Sequence, residues 1–514
     1  MSRINSNIPS LVARSNLRKA NSDLQTRLER LSTGLRINRG ADDPAGLIIA
    51  NRLGSEINGL NQAVKNSERA SSVISTAEGA LSEAASLLNS IKGLVVEASN
   101  TGAISDEERT ANQLQIDSAI DSVTRISEST SFGGLKLLNG SLDYVMSGLH
   151  TSAITKARVL NANMTNRTSL QVNVETIASA QTGRLYLRGD TLPSAGSPGT
   201  TYLPSSVRIE VAGPRGVRVL QMVSGATMAQ VATAVNNVKD ATGISASVYG
   251  TTSGVVFSSI DFGSDNFVGV KTIGAANNTA FQTVKFPDTS AITTPIVWAS
   301  MQSASRDVGR DVVALVNGAL GTGRGLKVSL PDSSNLGLEL TLDQAMAVDP
   351  GTTSSFYITG GGALYQLGGD ISSSQQINVG LPSVAASAIG GTLVKQLNGT
   401  QKFQFLESVK SGGANDLRSK NFQNASEILQ TAIDEISIIR GRLGALEKNT
   451  LDTNVNSIQS AIENLTSSQS VIQDADFATE TAALTRAQIL NQAGTSVVQL
   501  ANQQSQSVLS LLQR

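Results

Sequence analysis

Several residue types that carry catalysis or cross-links are scarce or missing in this chain of 514 residues. It contains no cysteine, which excludes disulfides, thiol nucleophiles and cysteine-ligated metal, and which suits oxidising surroundings. The single histidine, His150, cannot supply the two or three imidazoles of a zinc site. We expect it to lie in a surface loop rather than in a Ser-His-Asp triad. The composition therefore predicts no catalytic residue, no metal site and no cofactor.

Aromatic residues, net charge and long hydrophobic runs are also lacking. Aromatics make up 4% of the chain, Trp occurs once, and the formal net charge is −1. A nearly neutral chain gives no indication of a nucleic-acid partner. No run approaches the ~18 apolar residues of a transmembrane helix, so we predict no membrane insertion. The opening residues 1–10 lack the apolar core of a cleavable secretory signal. If the protein leaves the cell, we expect a different export route.

Two helical segments with a heptad pattern lie near opposite ends of the chain. From Leu60 to Ala98, apolar or small residues recur at alternating spacings of three and four. The pattern returns from Phe422 to Leu446 and resumes, one residue out of step, from Leu451 to Leu465. Such a seam must be buried against other helices, so we predict that the two segments form one rod. Residues at the centre of this rod seam are Leu81, Leu88, Ile91, Leu429, Ile436 and Leu443.

Shorter amphipathic helices are predicted outside the rod. The first extends from about Pro9 to Leu35 and is locally basic, while Asp43 and Pro44 indicate the start of the next helix. A basic amphipathic helix is typical of a membrane or nucleic-acid contact or of a subunit contact, and the low aromatic content favours the last. The apolar positions expected to pack in the core are Leu24, Leu28, Leu31 and Leu35 in the first helix and Val497, Leu500, Val508 and Leu511 in the last.

The last helix has a polar face without charge. No charged residue occurs between Ala487 and Gln513. Because a solvated helix face normally carries charges, a neutral face in contact with water needs a specific reason. The positions expected to be in contact with water are Gln499, Asn502, Gln503 and Gln506.

The middle of the chain changes to a period of two and is rich in turn residues. Val207–Ala212 and Val217–Leu220 predict a β-hairpin, and Thr227 with Gln230 predicts a capping box that starts a helix. A weak repeat of this unit predicts a second helix around Asp307–Val316. The predicted fold class is therefore α+β and multidomain. A discontinuous all-α coiled-coil rod from both termini carries inserted β-rich α+β domains.

Both terminal segments contain long specific motifs. Near the start, these are Leu24-Gln-Thr-Arg-Leu-Glu-Arg-Leu-Ser-Thr-Gly-Leu-Arg-Ile-Asn38 and Asp42-Asp-Pro-Ala-Gly46. Near the end, they are Ala475-Asp-Phe-Ala-Thr-Glu480 and Ile489-Leu-Asn-Gln-Ala-Gly494. These motifs resemble bacterial flagellin, and the resemblance covers roughly residues 1–150 and 415–514. In addition, Ile209–Val248 resembles a small repeat that is inserted in some flagellins and hook-associated proteins.

The resemblance implies a structural subunit that polymerises with itself into the extracellular flagellar filament. It implies export through the flagellar export apparatus with a chaperone, and contacts with the filament cap and hook-associated proteins. The neutral face of the last helix would line the channel through which unfolded subunits travel. Ser90 and Gly93 stand where flagellins sensed by the innate immune receptor carry an arginine and an acidic residue, which leaves recognition by that receptor doubtful.

The family also implies a division into three domains. The expected inner core comprises residues 1–42 and 472–514, and the expected rod comprises 43–150 and 410–471. The region 151–409 is expected to be a surface-exposed insertion with two modules, at about 165–300 and 301–400.

Three alternatives remain at this level. Within the same family, the chain could be a hook–filament junction protein. It could also be a secreted adhesive or glycan-binding filament protein whose middle region does the binding. A filament subunit with an inserted peptidase is the third, and the single histidine argues against it.

Overall fold

The computed structural model describes residues 7–162, 164, 167–187, 201–249, 254–273, 281–285, 302–333, 336–395 and 401–512. Its contacts divide the chain into two compact units. The terminal unit comprises Met1–Gly79, Tyr365–Gln376 and Ser437–Arg514, and the central unit comprises Ala80–Leu364 and Ile377–Ile436. The segment Tyr365–Gln376 therefore groups with the terminal helices. Its Leu367 carbonyl accepts a hydrogen bond from Asn454 Nδ2 at 2.8 Å.

Helices dominate both ends of the chain. The described helices are α1 (Ile8–Thr33), α2 (Pro44–Ala98), α3 (Asp106–Ser129), α4 (Met228–Asn236), α5 (Lys239–Thr242), α6 (Gln344–Val348), α7 (Phe422–Leu446), α8 (Thr453–Gln473) and α9 (Phe477–Leu512). The predicted start of α2 is confirmed, because Asp43 Oδ1 accepts a hydrogen bond from the Gly46 N–H at 2.9 Å. None of the described helices is long and apolar enough to cross a membrane.

The predicted heptad seams are buried within each unit. The seam positions of α2 from Ala63 to Ala98 are at most 2% exposed, and the α7 seam from Ala425 to Leu443 is buried as well. In the terminal unit, Ser75 Oγ donates to Glu447, and Gln469 Nε2 donates to the Ala50 carbonyl. These pairs place α2 antiparallel to the α7–α8 segment. The rod-seam residues named above are therefore all interior.

A single irregular turn explains the slip in the C-terminal heptad pattern. Between α7 and α8, Glu447–Asp452 form a π-helix. A π-turn closes its hydrogen bonds over five residues instead of four, and so it inserts one extra residue into the helix. The seam continues within this turn at Leu451 and beyond it at Ile458, and both residues are buried. The one-residue offset in the sequence is thus absorbed locally and the seam stays on one face.

The central unit is built mainly from antiparallel strands. The described strands are β1 (Ser131–Phe132), β2 (Leu135–Lys136), β3 (Tyr144–Ser147), β4 (Ile154–Ala162), β5 (Leu170–Ala178), β6 (Arg184–Leu187), β7 (Val207–Gly213), β8 (Gly216–Met222), β9 (Ile244–Tyr249), β10 (Gly254–Ser259), β11 (Phe267–Ile273), β12 (Thr283–Lys285), β13 (Gln302–Ser303), β14 (Arg306–Val308), β15 (Val313–Val316), β16 (Ala319–Leu320), β17 (Thr322–Arg324), β18 (Lys327–Ser333), β19 (Leu336–Leu342), β20 (Thr353–Gly361), β21 (Ala363–Gln366), β22 (Gln376–Val379), β23 (Thr392–Lys395) and β24 (Gln401–Gln404).

Four sheets form two modules, each with its own hydrophobic core. The sheets β14-β11-β7-β8 and β13-β12-β6-β10-β9 share a core with α4 that includes Ile209, Val231 and Phe257. The sheets β16-β15-β5-β20-β3 and β17-β18-β19-β4 share a second core that includes Leu338 and Phe356. The predicted β-rich character of the middle region is confirmed. The predicted hairpin and the Thr227–Gln230 capping box are confirmed too.

The helix predicted around Asp307–Val316 is wrong. The segment contains the end of strand β14 and all of strand β15. Val312, Val313 and Val316 are β-branched and favour a pleated, half-buried surface. Gly309 lies between the two strands, where an added Cβ would stand 2.5 Å from the Gly263 carbonyl oxygen. The weak repeat suggested a helix that the local residue preferences do not support.

Candidate assembly interface

The terminal helices α1 and α9 pair in antiparallel fashion. At one end of the pair, Asn7 Nδ2 donates to the Ala501 carbonyl at 3.0 Å, and Ser10 Oγ donates to Asn502 Oδ1 at 2.8 Å. At the other end, Arg27 of α1 contacts Glu480 of α9. The 26 residues of α1 extend for about 39 Å at 1.5 Å per residue. Polar contacts therefore fix the register of the two helices at both ends of α1.

The face of α9 that contacts α1 consists mainly of small residues at heptad spacing. Ala487 and Ala501 are buried, and Gly494 lies between them. A Cβ added at Gly494 would stand 3.1 Å from Leu17 Cδ1, so the two helices approach closely at this point. Small residues permit such an approach because no side chain separates the backbones. This series was missed by the sequence analysis, although its seven-residue spacing is present in the sequence.

A partly buried ion pair extends the same face. Glu480 lies seven residues before Ala487, and its side chain is 8% exposed. Arg27 Nη1 donates to both of its carboxylate oxygens at 3.1 Å. A charge-assisted contact at a largely buried site fixes the alignment of α1 on α9. The pair joins residues 453 positions apart, so no local sequence pattern predicts it.

The link between α8 and α9 is tied to the end of α1. The Ala475 N–H donates to the Gly34 carbonyl at 2.9 Å, and Gly34 caps α1 with a φ of 73°. At the start of α9, hydrogen bonds from the Thr479 hydroxyl and from the backbone N–H groups of Thr479 and Ala478 lower the pKa of Asp476 below its usual 3.8. The carboxylate therefore acts as a charged N-terminal cap for α9.

Large apolar side chains remain exposed on this helix pair. Leu500 is 67% exposed, and Val497 and Leu28 are about half exposed. Other exposed apolar residues on the pair are Ile8, Leu11, Val12, Phe477, Ile489 and Leu490. Extended exposed apolar surface on a soluble chain marks an interaction site. The pair therefore presents a surface suited to burial against other chains.

The predicted terminal site residues fall into different groups. Leu24, Leu31 and Leu35 are half-buried, whereas Leu28, Val497 and Leu500 are exposed in the single chain. Gln499, Asn502 and Gln503 are exposed, and Asn502 also contacts Ser10 of α1. The side chains of Gln506, Val508 and Leu511 lie outside the described residues. Within the described part of the chain, no cluster of His, Cys, Asp or Glu is arranged to hold a metal ion.

Comparison with known proteins matches both ends of the chain to family models. Residues 4–143 match the bacterial flagellin N-terminal helical region, and residues 426–512 match the C-terminal helical region. Residues 208–261 match the flagellin hook IN motif. The B-type flagellin of Pseudomonas aeruginosa is 30% identical over 99% of both chains.

The chain belongs to the flagellin family. The flagellin of Salmonella rubislaw is also similar, with 28% identity over 99% of both chains. The flagellar junction protein FlgL from Legionella pneumophila is 11% identical and has a TM-score of 0.27, with 83% of this chain and 99% of that chain covered. The sequence matches favour a flagellin over a junction protein.

Family membership establishes the general role. The protein is a structural subunit of the bacterial flagellar filament, an extracellular polymer that serves motility. It is a structural protein and not an enzyme. The predicted resemblance is confirmed, including that of Ile209–Val248, which lies within the matched IN motif.

Proposed function

We propose that α1 and α9 form the inner core of the filament, where their exposed apolar side chains are buried against the same helices of neighbouring subunits. The observation that supports this most directly is the exposed apolar surface of the pair, with Val497 and Leu500 on α9 and Leu28 on α1. Leu24, Leu31 and Leu35 contribute their remaining exposed surface. Val508 and Leu511 extend the same apolar series toward the C-terminus. The subunit thus packs α1 against α9 with one set of residues and contacts neighbouring subunits with another set.

The neutral face of α9 borders a water-filled axial channel under this proposal. Gln499, Asn502, Gln503 and Gln506 are the residues assigned to that lining. Fixed charges in a narrow channel would attract or repel passing chains strongly. The absence of charge from Ala487 to Gln513 suits transit of unfolded subunits.

The three-domain division follows from the same proposal. Residues 1–42 with 472–514 form the inner core, 43–150 with 410–471 form the rod, and 151–409 face solvent. The two cores of the central unit support two separate inserted modules, proposed at roughly 165–300 and 301–400. One core extends from Leu185 to Phe281, whereas the other combines residues 144–180 with residues 312–358, so the second module is discontinuous and its bounds differ from those proposed.

Export and partner contacts complete the proposal. The chain leaves the cell through the flagellar export apparatus with a chaperone, and in the filament it contacts the cap and hook-associated proteins. The lack of cysteine and the few aromatics suit passage as an unfolded chain. Ser90 is exposed on α2, and with Gly93 it keeps recognition by the innate immune receptor doubtful.

The variant Leu500→Asp tests the inner-core assignment. Leu500 is 67% exposed in the single chain, so the monomer should retain its helix content and its unfolding temperature. In the polymer, an unpaired buried carboxylate would cost several kcal/mol, roughly, and seeded polymerisation should stop. The measurement is sedimentation and electron microscopy of purified subunits. The control, Gln503→Glu, introduces a carboxylate on the proposed wet face and should polymerise. Normal polymerisation of Leu500→Asp would remove the basis for this assignment.

A further inference from the structure

Two short linkers join the two modules of the central unit. Residues 179–183 connect β5 of the second module to β6 of the first, and residues 309–312 connect β14 of the first module back to β15 of the second. The linkers lie side by side, because Gln181 and Arg310 each donate a backbone N–H to the carbonyl of the other at 2.9 Å. Modules joined by short segments move relative to each other unless their interface prevents it. The paired linkers alone would therefore act as a hinge.

A loop of the first module crosses this hinge. Residues 260–266 join β10 to β11, and Phe262 of this loop packs against the hydrophobic core of the second module. The backbones of the two modules also approach each other directly at Gly263 and Gly325. Gly263 has a φ of 106°, and a Cβ added there would stand 2.6 Å from Gly325 Cα. The hinge therefore leaves no room for a side chain at this contact.

One carboxylate bonds to both modules beside this contact. Asp311, in the second linker, accepts hydrogen bonds from the Ser264 N–H at 3.0 Å and from the Ser264 hydroxyl at 2.5 Å. It also accepts at 2.7 Å from the N–H of Gly325, which lies between β17 and β18 of the second module. Partial burial raises the pKa of Asp311, but these hydrogen bonds and the charge of Arg324 outweigh burial and hold the pKa below the usual 3.8. Hydrogen bonds to an ionised acceptor are roughly twice as strong as neutral ones.

We propose that Asp311 is a clasp that locks this hinge and holds the two modules of each subunit at one fixed angle. Two linkers that bond to each other still permit rotation about their common axis. A further attachment beside them prevents that rotation, and Asp311 supplies it by tying Ser264 of the first module to Gly325 of the second. Loss of the carboxylate should therefore free the angle between the modules, while the hydrophobic core of each module stays intact.

Distances between spin labels test the clasp, because the natural chain contains no cysteine that would be labelled as well. Val219→Cys in the first module and Val145→Cys in the second place labels at strand positions that are 48% and 58% exposed. Double electron–electron resonance on the full chain should give one narrow distance peak, and adding Asp311→Ala should abolish it. A second pair, Val219→Cys with Val248→Cys, lies within the first module and should keep its narrow peak with and without Asp311→Ala.

Matched controls separate the clasp from other effects. Asp265→Ala removes an ion pair with Arg324 between the same two segments, but these side chains are 64% and 82% exposed, so the peak between the modules should stay narrow. Gly263→Ala should broaden this peak by forcing the two backbones apart. Gly225→Ala has the same cost of a positive φ, but its added Cβ meets nothing within 4 Å, so the peak should stay narrow.

Hydrogen exchange gives a second measurement. The amides of Ser264 and Gly325 lose their acceptor in Asp311→Ala and should exchange about tenfold faster. A narrow 145–219 peak that persists in Asp311→Ala would overturn the proposal. Broadening of the 219–248 peak would overturn it too, because the module itself would then have unfolded. If Asp311→Ala does not fold, the contrast between Gly263→Ala and Gly225→Ala decides. All of these measurements use the monomer, so their failure is separable from that of the inner-core proposal.

Discussion

Glu435 of α7 is a residue whose loss should strongly destabilise the central unit. It is 8% exposed and lies among two cations and a backbone donor. Its carboxylate accepts from Lys156 Nζ at 2.6 Å, from Arg158 Nη2 at 3.0 Å and from the Gly390 N–H at 3.0 Å. Replacement by leucine keeps the volume roughly constant but leaves two largely buried cations without their shared acceptor.

The expected cost follows from these partners. Removing one member of a buried ion pair costs about 3–5 kcal/mol, because the remaining charge stays desolvated. Arg158 retains Glu339 at 3.5 Å, and Lys156 retains a contact with the Phe405 ring at 6.0 Å. These remaining contacts place the expected loss near the lower end of that range. We therefore expect Glu435→Leu to lower the stability of the central unit by about 3 kcal/mol.

Hydrogen exchange is the appropriate assay, because a chain with two units need not unfold in one step. Some amides of β4 exchange only when the whole central unit unfolds. In Glu435→Leu these amides should exchange about 100-fold faster, because each 1.4 kcal/mol of lost stability corresponds to a factor of ten. The matched control is Glu427→Gln on the same helix. Glu427 pairs with Arg215 at 3.1 Å, but its side chain is 40% exposed, so the loss should stay below about 1 kcal/mol.

A double variant separates a stranded charge from lost packing. Combining Glu435→Leu with Lys156→Met removes both charges of the shorter ion pair and should recover part of the loss. Unchanged exchange in Glu435→Leu would refute the reasoning. A double variant less stable than the sum of the two single effects would refute it too.

Two further predictions concern the terminal unit. Gly494→Val should weaken the α1–α9 pair by about 1–3 kcal/mol, because the larger side chain overpacks against Leu17. Gly79→Ala should stabilise α2 by up to about 1 kcal/mol, because an added Cβ there meets nothing within 4 Å. Chemical denaturation of the monomer measures both changes, and equal effects of one sign would contradict the contrast. The pKa of Asp476 is lowered in the folded chain, so its stabilisation of α9 should be fully present above the usual carboxyl pKa of 3.8. This stabilisation should be lost as the pH falls through the lower pKa of the folded state. Hydrogen exchange at the start of α9 measures the loss, which should be absent in Asp476→Asn.

The sequence predicted the rod because helical periodicity is local and strong. The α2 seam from Ala63 to Ala98 repeats without interruption, and every position in it is buried. Even the π-turn at Glu447–Asp452 left a signal, as a one-residue offset in the apolar pattern. The predicted helix around Asp307–Val316 failed for the opposite reason. It rested on a weak repeat, and the β-branched residues of the segment joined strands from distant parts of the chain.

Pairs that join distant residues were not accessible from periodicity. Arg27 and Glu480 each sit in ordinary amphipathic helices, and only the fold brings them to 3.1 Å. The same holds for Glu435 and Lys156, which are 279 positions apart. A single sequence specifies which residues can form ion pairs, but the choice of partner depends on tertiary packing.

The two apolar series of α9 show why burial within a chain differs from burial in a polymer. Ala487, Gly494 and Ala501 contact α1, whereas Val497 and Leu500 remain exposed. If the larger residues contacted α1, the helices could not approach closely enough for Ser10 to reach Asn502 at 2.8 Å. Both series recur with helical periodicity, so periodicity alone cannot tell which of them contacts α1. Side-chain size distinguishes the two series. Small residues suit close pairing within the chain, and large residues supply more apolar area for contacts with neighbouring subunits.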